Sequence, residues 1–174
     1  RAIEPERPAA TPLGALVASF LGACSSQTLG HTRMPIRADY REVLALTQLE
    51  TALRLFFEGS DFASVVTLAG AADEIFGKLL SAAGKENSLE SLKKAVEALH
   101  QRLYGEPGNP TEIASRANRA KNSLKHWDIG QPLIVKLDLE QEARDMLFRA
   151  IDNYWMLKET LSPAMERFQR ESMA

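Results

Sequence analysis

The chain has 174 residues, which is enough for one domain and a terminal extension but not for two full domains. Hydrophobic residues make up 45% of it and charged residues 25%, so a sizeable core is available. A net charge of −2 excludes polycation behaviour of the whole chain. The single cysteine, Cys24, excludes an internal disulfide and a zinc cluster. No stretch approaches the roughly 20 apolar residues of a membrane span, so we expect a soluble protein.

The first 33 residues are expected to lie outside the fold. Residues 1–12 are rich in proline and alanine and predict disorder. An apolar run from Leu13 to Ala23 then precedes Cys24, as in a bacterial lipoprotein signal. A second interpretation places the start of translation at Met34, which makes the preceding residues an upstream artefact or a tail. We therefore expect a helical domain at 34–174, located in the cytoplasm or, alternatively, anchored through Cys24.

Apolar residues recur at steps of three and four from residue 34 onward, which predicts amphipathic helices. The first predicted helix spans 38–58 and ends before Gly59. The second runs from a cap at Ser60 or Asp61 to about residue 83. Its small side chains at 69–72 predict the close approach of a neighbouring helix. Asp73 and Glu74 on this helix are interpreted as a solvated edge.

Three further helices are predicted along the rest of the chain. The third starts near Ser88, and the glycine- and proline-rich turn at 105–110 separates it from a fourth, which starts at Thr111. Gly130 and Pro132 interrupt the chain before a fifth helix at 139–160, and Pro163 precedes a short tail. Short turns between long helices favour antiparallel neighbours. The expected fold is all-α, an antiparallel bundle of about five helices.

The fourth predicted helix carries one polar constellation that could form a site. Arg119, Asn122 and His126 are spaced i, i+3 and i+7, so they cluster opposite its apolar stripe and can address one substrate. The same segment carries three further basic residues that are candidates for substrate binding, namely Arg116, Lys121 and Lys125.

This combination of side chains suits phosphodiester chemistry. Arg119 can bind a phosphate through two hydrogen bonds and stabilise negative charge in the transition state. His126 can transfer a proton near neutral pH, and Asn122 can orient the phosphate or an attacking hydroxyl. With RNA the 2′-hydroxyl of the substrate can act as the nucleophile, so neither a metal nor another cofactor is needed. The alternative interpretation of these residues is an ordinary solvated helix face.

The segment Arg119-Ala-Lys-Asn-Ser-Leu-Lys-His126 resembles the motif of the HEPN group of helical proteins. In that group an arginine is followed, after four to six residues, by a histidine on a late helix of a small bundle. The resemblance implies a metal-independent endoribonuclease of a toxin or defence system, with Arg119 and His126 as the catalytic pair. It also implies a homodimer in which both motifs line one cleft. Ala120 departs from the group, which favours a polar residue after the arginine.

A second hypothesis, from another class, is a non-catalytic helical module that docks a partner protein. The RNA-directed hypothesis predicts that Arg119 and His126 lie close together and line a cleft. The interaction hypothesis predicts that these side chains point into solvent and that an apolar patch is exposed elsewhere. A lipoprotein with an external helical domain is the third hypothesis.

Overall fold

The computed structural model describes residues 38–172, and these form seven α-helices and no strand. The all-α prediction is therefore confirmed for this part of the chain. The helices are α1 (Arg41–Phe57), α2 (Phe62–Ala82), α3 (Ser88–Tyr104), α4 (Pro110–Ala117), α5 (Arg119–Lys125), α6 (Leu139–Lys158) and α7 (Pro163–Ser172). The predictions for residues 1–33, lipidation at Cys24 included, lie outside the described residues.

Most helix starts are set by capping side chains. Asp61 caps α2 as expected, because its carboxylate accepts a hydrogen bond from the Ser64 amide at 3.2 Å. Asn87, Asn109 and Asp138 cap α3, α4 and α6 in the same way. These bonds satisfy amide groups that have no partner within the helix. At the far end of α3, Gly105 has φ +82, a conformation that glycine adopts without strain.

The core is built around α2, which packs along both α1 and α6. A helix with neighbours on two sides buries apolar residues over most of its circumference. Phe76 is fully buried, and its ring centroid lies 5.4 Å from that of Tyr154 on α6. The other large, fully buried side chains of α1, α2 and α6 are Leu49, Leu53, Val65, Val66, Leu80, Leu147 and Ile151.

The predicted tail after Pro163 is a part of the core. Met165 and Phe168 of α7 are both fully buried. The ring centroid of Phe168 lies 5.3 Å from that of Phe56 and 5.0 Å from that of Phe148. Edge-to-face packing of this kind stabilises aromatic clusters beyond the burial of their area. Pro163 thus begins a helix that closes the core, in accordance with the preference of proline for the first helical position.

The fourth predicted helix is divided in two at Asn118. This residue has φ −107 and ψ 3, which interrupts the regular helix between α4 and α5. The guanidinium of Arg149 donates a hydrogen bond to the carbonyl of Ala117 at 2.8 Å and contacts Asn118 Oδ1 at 3.2 Å. A continuous helix would use that carbonyl internally. The break therefore follows from a contact with α6.

The small residues of α2 allow α5 to approach closely, as predicted. A methyl group placed on Gly70 would lie 2.6 Å from Cδ and 2.9 Å from Cγ of Lys121. The aliphatic stem of Lys121 thus packs directly on the backbone of α2. Glycine at this position costs helix propensity and provides the space that the lysine occupies.

We predict that Gly70→Ala destabilises the protein by about 1–3 kcal/mol, because it overpacks the contact with Lys121. In a Lys121→Ala background the same change should instead stabilise by about 0.5–1 kcal/mol, through helix propensity. Urea unfolding of the four proteins gives both free energies.

Gly77→Ala is the matched control on the same helix. A methyl group there would make ordinary contacts of 3.6 Å or more. It should stabilise the protein by about 0.5–1 kcal/mol in both backgrounds. A destabilisation by Gly70→Ala that persists without Lys121 would contradict the packing argument.

Candidate functional site

Arg119, Asn122 and His126 are all exposed, and α5 contains the first two and has the third as its C-cap residue. Helix α5 ends at Lys125, and His126 has an extended backbone with φ −130 and ψ 132. Arg119 and Asn122 are thus i and i+3 on one helix, and His126 follows as its cap residue, whose amide donates to the Asn122 carbonyl at 2.9 Å. Arg119 Nη2 lies 3.5 Å from Glu142 Oε1 on α6, a long contact between exposed groups.

The three predicted substrate-binding residues lie in three different places. Arg116 lines a cleft between α3 and α6, and Lys125 lines a separate shallow pocket with Arg41 and Lys78. Lys121 is turned inward and is only 8% exposed. The three residues therefore do not line one common pocket.

Lys121 is held against α2 with an incompletely paired ammonium group. Its Nζ lies 3.8 Å from Glu74 Oε2, which is too long for a hydrogen bond. Burial lowers the pKa of Lys121 from its usual value, and the charges of Asp73 and Glu74 oppose that shift. The energetic effect of the lysine is therefore mainly its stem packing on Gly70.

A buried polar network joins α2, α6 and the loops beside them. Arg149 is 9% exposed, and its Nη2 donates to Asp73 Oδ2 at 2.5 Å. Asn153 Nδ2 donates to Asp73 Oδ1 at 2.9 Å, and Asn153 Oδ1 accepts from the Ser88 amide at 2.8 Å. Through the bond from Arg149 to the carbonyl of Ala117, the network also reaches α4.

Asp73 is 4% exposed, so its interpretation as part of a solvated edge is wrong, whereas Glu74 is exposed as expected. Burial raises the pKa of Asp73, and the positive charge of Arg149 opposes that shift. A small cavity of about 300 Å³ adjoins the network. Both carboxylate oxygens of Asp73, both Nη atoms of Arg149 and the side-chain amide of Asn153 have protein partners, whereas Arg149 Nε is buried without a hydrogen bond. The paired groups favour a structural role for the network.

A larger cleft of about 710 Å³ lies between α3, α4, α5 and α6, and we call it the α3–α6 cleft. It is lined by Leu92, Arg116, Ala117, Arg119, Glu142, Asp145, Met146, Phe148 and Arg149. Leu92, Met146 and Phe148 give it apolar surface on the α3 and α6 sides. A concave surface of this size with apolar and charged groups together is a typical binding site.

Apart from Arg149, which is buried and paired with Asp73, the charged residues of the α3–α6 cleft are separated by sign. Arg116 and Arg119 belong to α4 and α5, whereas Glu142 and Asp145 belong to α6. Among the described residues, the Arg116 side chain has no hydrogen bond or ion pair, and the Asp145 side chain accepts one bond, from Gln141 at 2.9 Å. The positive and negative sides of the cleft therefore both keep groups available for a ligand.

An apolar stripe continues from this cleft along α3. It consists of Leu92, Leu99 and Leu103, which are 37%, 55% and 62% exposed, and we call it the α3 stripe. Their spacing of seven and four residues places them on one face of the helix. No residue of α3 is buried. A contiguous exposed apolar surface of this kind marks an interaction site more often than isolated surface leucines do.

The residues on the α6 side of the cleft were not among the predicted site residues, although their spacing in the sequence is regular. Glu142, Asp145 and Arg149 recur at i, i+3 and i+7, so they share one face of α6. On sequence alone, this charged row could not be distinguished from a solvated face.

No family model, curated protein or solved structure matches the chain. Within residues 38–172, no group of three or more His, Cys, Asp or Glu side chains is arranged to hold a metal ion. None of the helices in this same range combines the length and the apolar character that a membrane span requires. The assignment of function therefore depends on the geometry of the cleft and of the α5 surface, which is formed by the exposed residues Arg119, Asn122, Lys125 and His126.

We predict that Asp73→Ala destabilises the protein by about 3–5 kcal/mol, because it leaves the guanidinium of Arg149 buried without its carboxylate. The double change Asp73→Ala with Arg149→Met should lower the free energy of unfolding by clearly less than the sum of the effects of the two single changes. Guanidinium unfolding of the four proteins gives this coupling energy. Strict additivity would show that the two side chains do not act as one buried pair.

Proposed function

We propose that this protein is a non-catalytic helical interaction module, which binds an amphipathic helix of a partner protein in the α3–α6 cleft. The observation that carries the proposal is the α3 stripe, which is exposed and begins at Leu92 inside the cleft. Amphipathic helices bind such surfaces with apolar residues at i, i+3, i+4 and i+7. The stripe and the cleft together offer the groove that this mode of recognition needs.

The charges of the cleft also favour a protein ligand over a nucleic acid. Binding of a phosphate backbone is favoured by an excess of lysine and arginine. Here Arg119 lies beside Glu142, Asp145 adds a second carboxylate, and Lys121 is turned away from the surface. A cleft with both signs of charge would repel phosphate on its α6 side.

The proposal treats the described helices as an antiparallel bundle of about five elements, with α4 and α5 counted as one. It places the interaction in the cytoplasm, with an anchor at Cys24 as the alternative.

We predict that a photo-reactive amino acid in place of Leu99 cross-links one defined partner in the cells that produce the protein. The same amino acid in place of Glu140, which is exposed on the face of α6 opposite Asp145, is the control and should not cross-link that partner. The identified partner is then purified and titrated against the wild type and Leu92→Glu. Binding by the wild type that falls at least about tenfold in Leu92→Glu is the expected result, because a charge would enter the apolar contact. Equal binding by both proteins would contradict the proposal.

A second function, an RNA-directed protein of the HEPN type, is favoured by one specific observation. Arg119, Asn122, Lys125 and His126 are all exposed on α5 and the residue that follows it. An RNA could therefore reach each of them. In this proposal Arg119 holds phosphate, Asn122 orients it and His126 transfers the proton. A homodimer would bring two such surfaces to one cleft.

This second function predicts cleavage of transfer RNA by the full chain in excess EDTA, and loss of cleavage in both Arg119→Ala and His126→Ala. Removal of a group that stabilises the transition state typically lowers the rate by about 10²–10³-fold. Arg170→Ala changes an exposed arginine on α7 and serves as the control, with unchanged activity expected. Gel electrophoresis of labelled RNA measures the rates. Absence of cleavage by the wild type would leave the interaction module as the assignment.

A further inference from the structure

We infer that the partner helix carries acidic residues along one flank of its apolar stripe and basic residues along the other. This inference rests on the proposed interaction function and names the chemistry of its ligand. The charges of the α3–α6 cleft are the reason for it, since each side of the cleft selects the flank that faces it.

The α4–α5 side of the cleft selects an acidic flank. Arg116 lines the cleft and is exposed, and its side chain has no hydrogen bond or ion pair among the described residues. Its neighbour across the break, Arg119, has only the contact of 3.5 Å to Glu142. A carboxylate on the ligand could bind the guanidinium of Arg116 through two hydrogen bonds, which is the geometry that arginine favours.

The α6 side of the cleft selects a basic flank. Glu142 and Asp145 are three residues apart on α6, so both face the ligand. Asp145 has no ion pair among residues 38–172, and its one hydrogen bond comes from the amide of Gln141. A lysine or arginine on the ligand would supply the missing positive charge. A purely acidic helix would instead be repelled by these two carboxylates.

A second copy of the chain does not meet these requirements through its own α3 stripe. The residues beside that stripe are Lys93 on one side and Arg102 on the other, at about 80–100° around the helix. The charge of Lys93 is compensated by Glu90, whose Oε2 lies 2.7 Å from the ammonium group, and the flank with Arg102 is basic. Neither flank therefore offers an unpaired carboxylate to Arg116. The inferred occupant is therefore a helix of a different protein, whose flanks have opposite charges.

The test uses four designed peptides of about 20 residues, each with leucine at the a and d positions of successive heptads. Their flanks are glutamate on one side and lysine on the other, glutamate on both, lysine on both, or glutamine on both. Fluorescence anisotropy measures the binding of each peptide to the full chain. The four peptides differ only in the composition of their flanks. The test therefore does not depend on the direction in which a peptide lies in the cleft, although reversal of the helix would exchange its flanks.

We expect the peptide with mixed flanks to bind about tenfold tighter than each of the other three, which corresponds to about 1.4 kcal/mol. Charge reversal in the cleft should then change the preference. In Asp145→Lys the all-glutamate peptide should become the tightest ligand. In Arg116→Glu the all-lysine peptide should become the tightest ligand. Glu140→Lys, an exposed change on the opposite face of the same helix, should leave the wild-type order unchanged.

The possible results separate this inference from the function on which it rests. If all four peptides bind equally, the cleft binds helices and the inference about their charges is wrong. If none of them binds, the cleft is not a site for an amphipathic helix and the proposed function fails as well. An order that does not change in Asp145→Lys and Arg116→Glu would also overturn the inference.

Discussion

The contact of Arg149 with Asp73 is the interaction on which the rest of the structure depends. A guanidinium that is 9% exposed and a carboxylate that is 4% exposed can be buried together only if each compensates the charge of the other. The same guanidinium also binds the carbonyl of Ala117 and the side chain of Asn118. It therefore joins α2 to α6, and it interrupts the helical conformation between α4 and α5. The orientation of the α5 surface, with Arg119 and His126, depends on this break.

The contact also explains why one side of α6 forms part of the α3–α6 cleft. Arg149 must point inward to reach Asp73, and this fixes the rotation of α6 about its axis. Asp145 and Glu142 lie on the same face, about one and two turns earlier respectively, and so are brought to the cleft. The network thus has a structural role in the core and a consequence for binding at the surface. The charged row of Glu142, Asp145 and Arg149 looks like a solvated face in the sequence. In the structure Arg149 lies in the core, whereas the two carboxylates line the cleft.

The sequence was sufficient to predict the elements whose causes are local. Caps, glycines and apolar spacing act within one turn, and they predicted α1, α2, α3 and α6 together with the cap at Asp61. The break at Asn118 could not be predicted, because its cause is an arginine about 30 positions further along the chain. Asp73 was misinterpreted for the same reason, since its partner lies on another helix. The spacing that joined Arg119 to His126 assumed a continuous helix, and α5 ends before His126.

The state of α3 links the fold to the proposed binding. None of its residues is buried, so its helical structure depends on the caps at both ends and on limited contacts with α4 and α6. A helix with so little burial belongs to the less stable part of a structure. A ligand that covers the α3 stripe would add the apolar contact that this helix lacks, and it would bind the folded form selectively. Binding should therefore stabilise α3 more than the α1–α2–α6 core. RNA that binds only the α5 surface would not cover the α3 stripe, so its binding should not selectively stabilise α3.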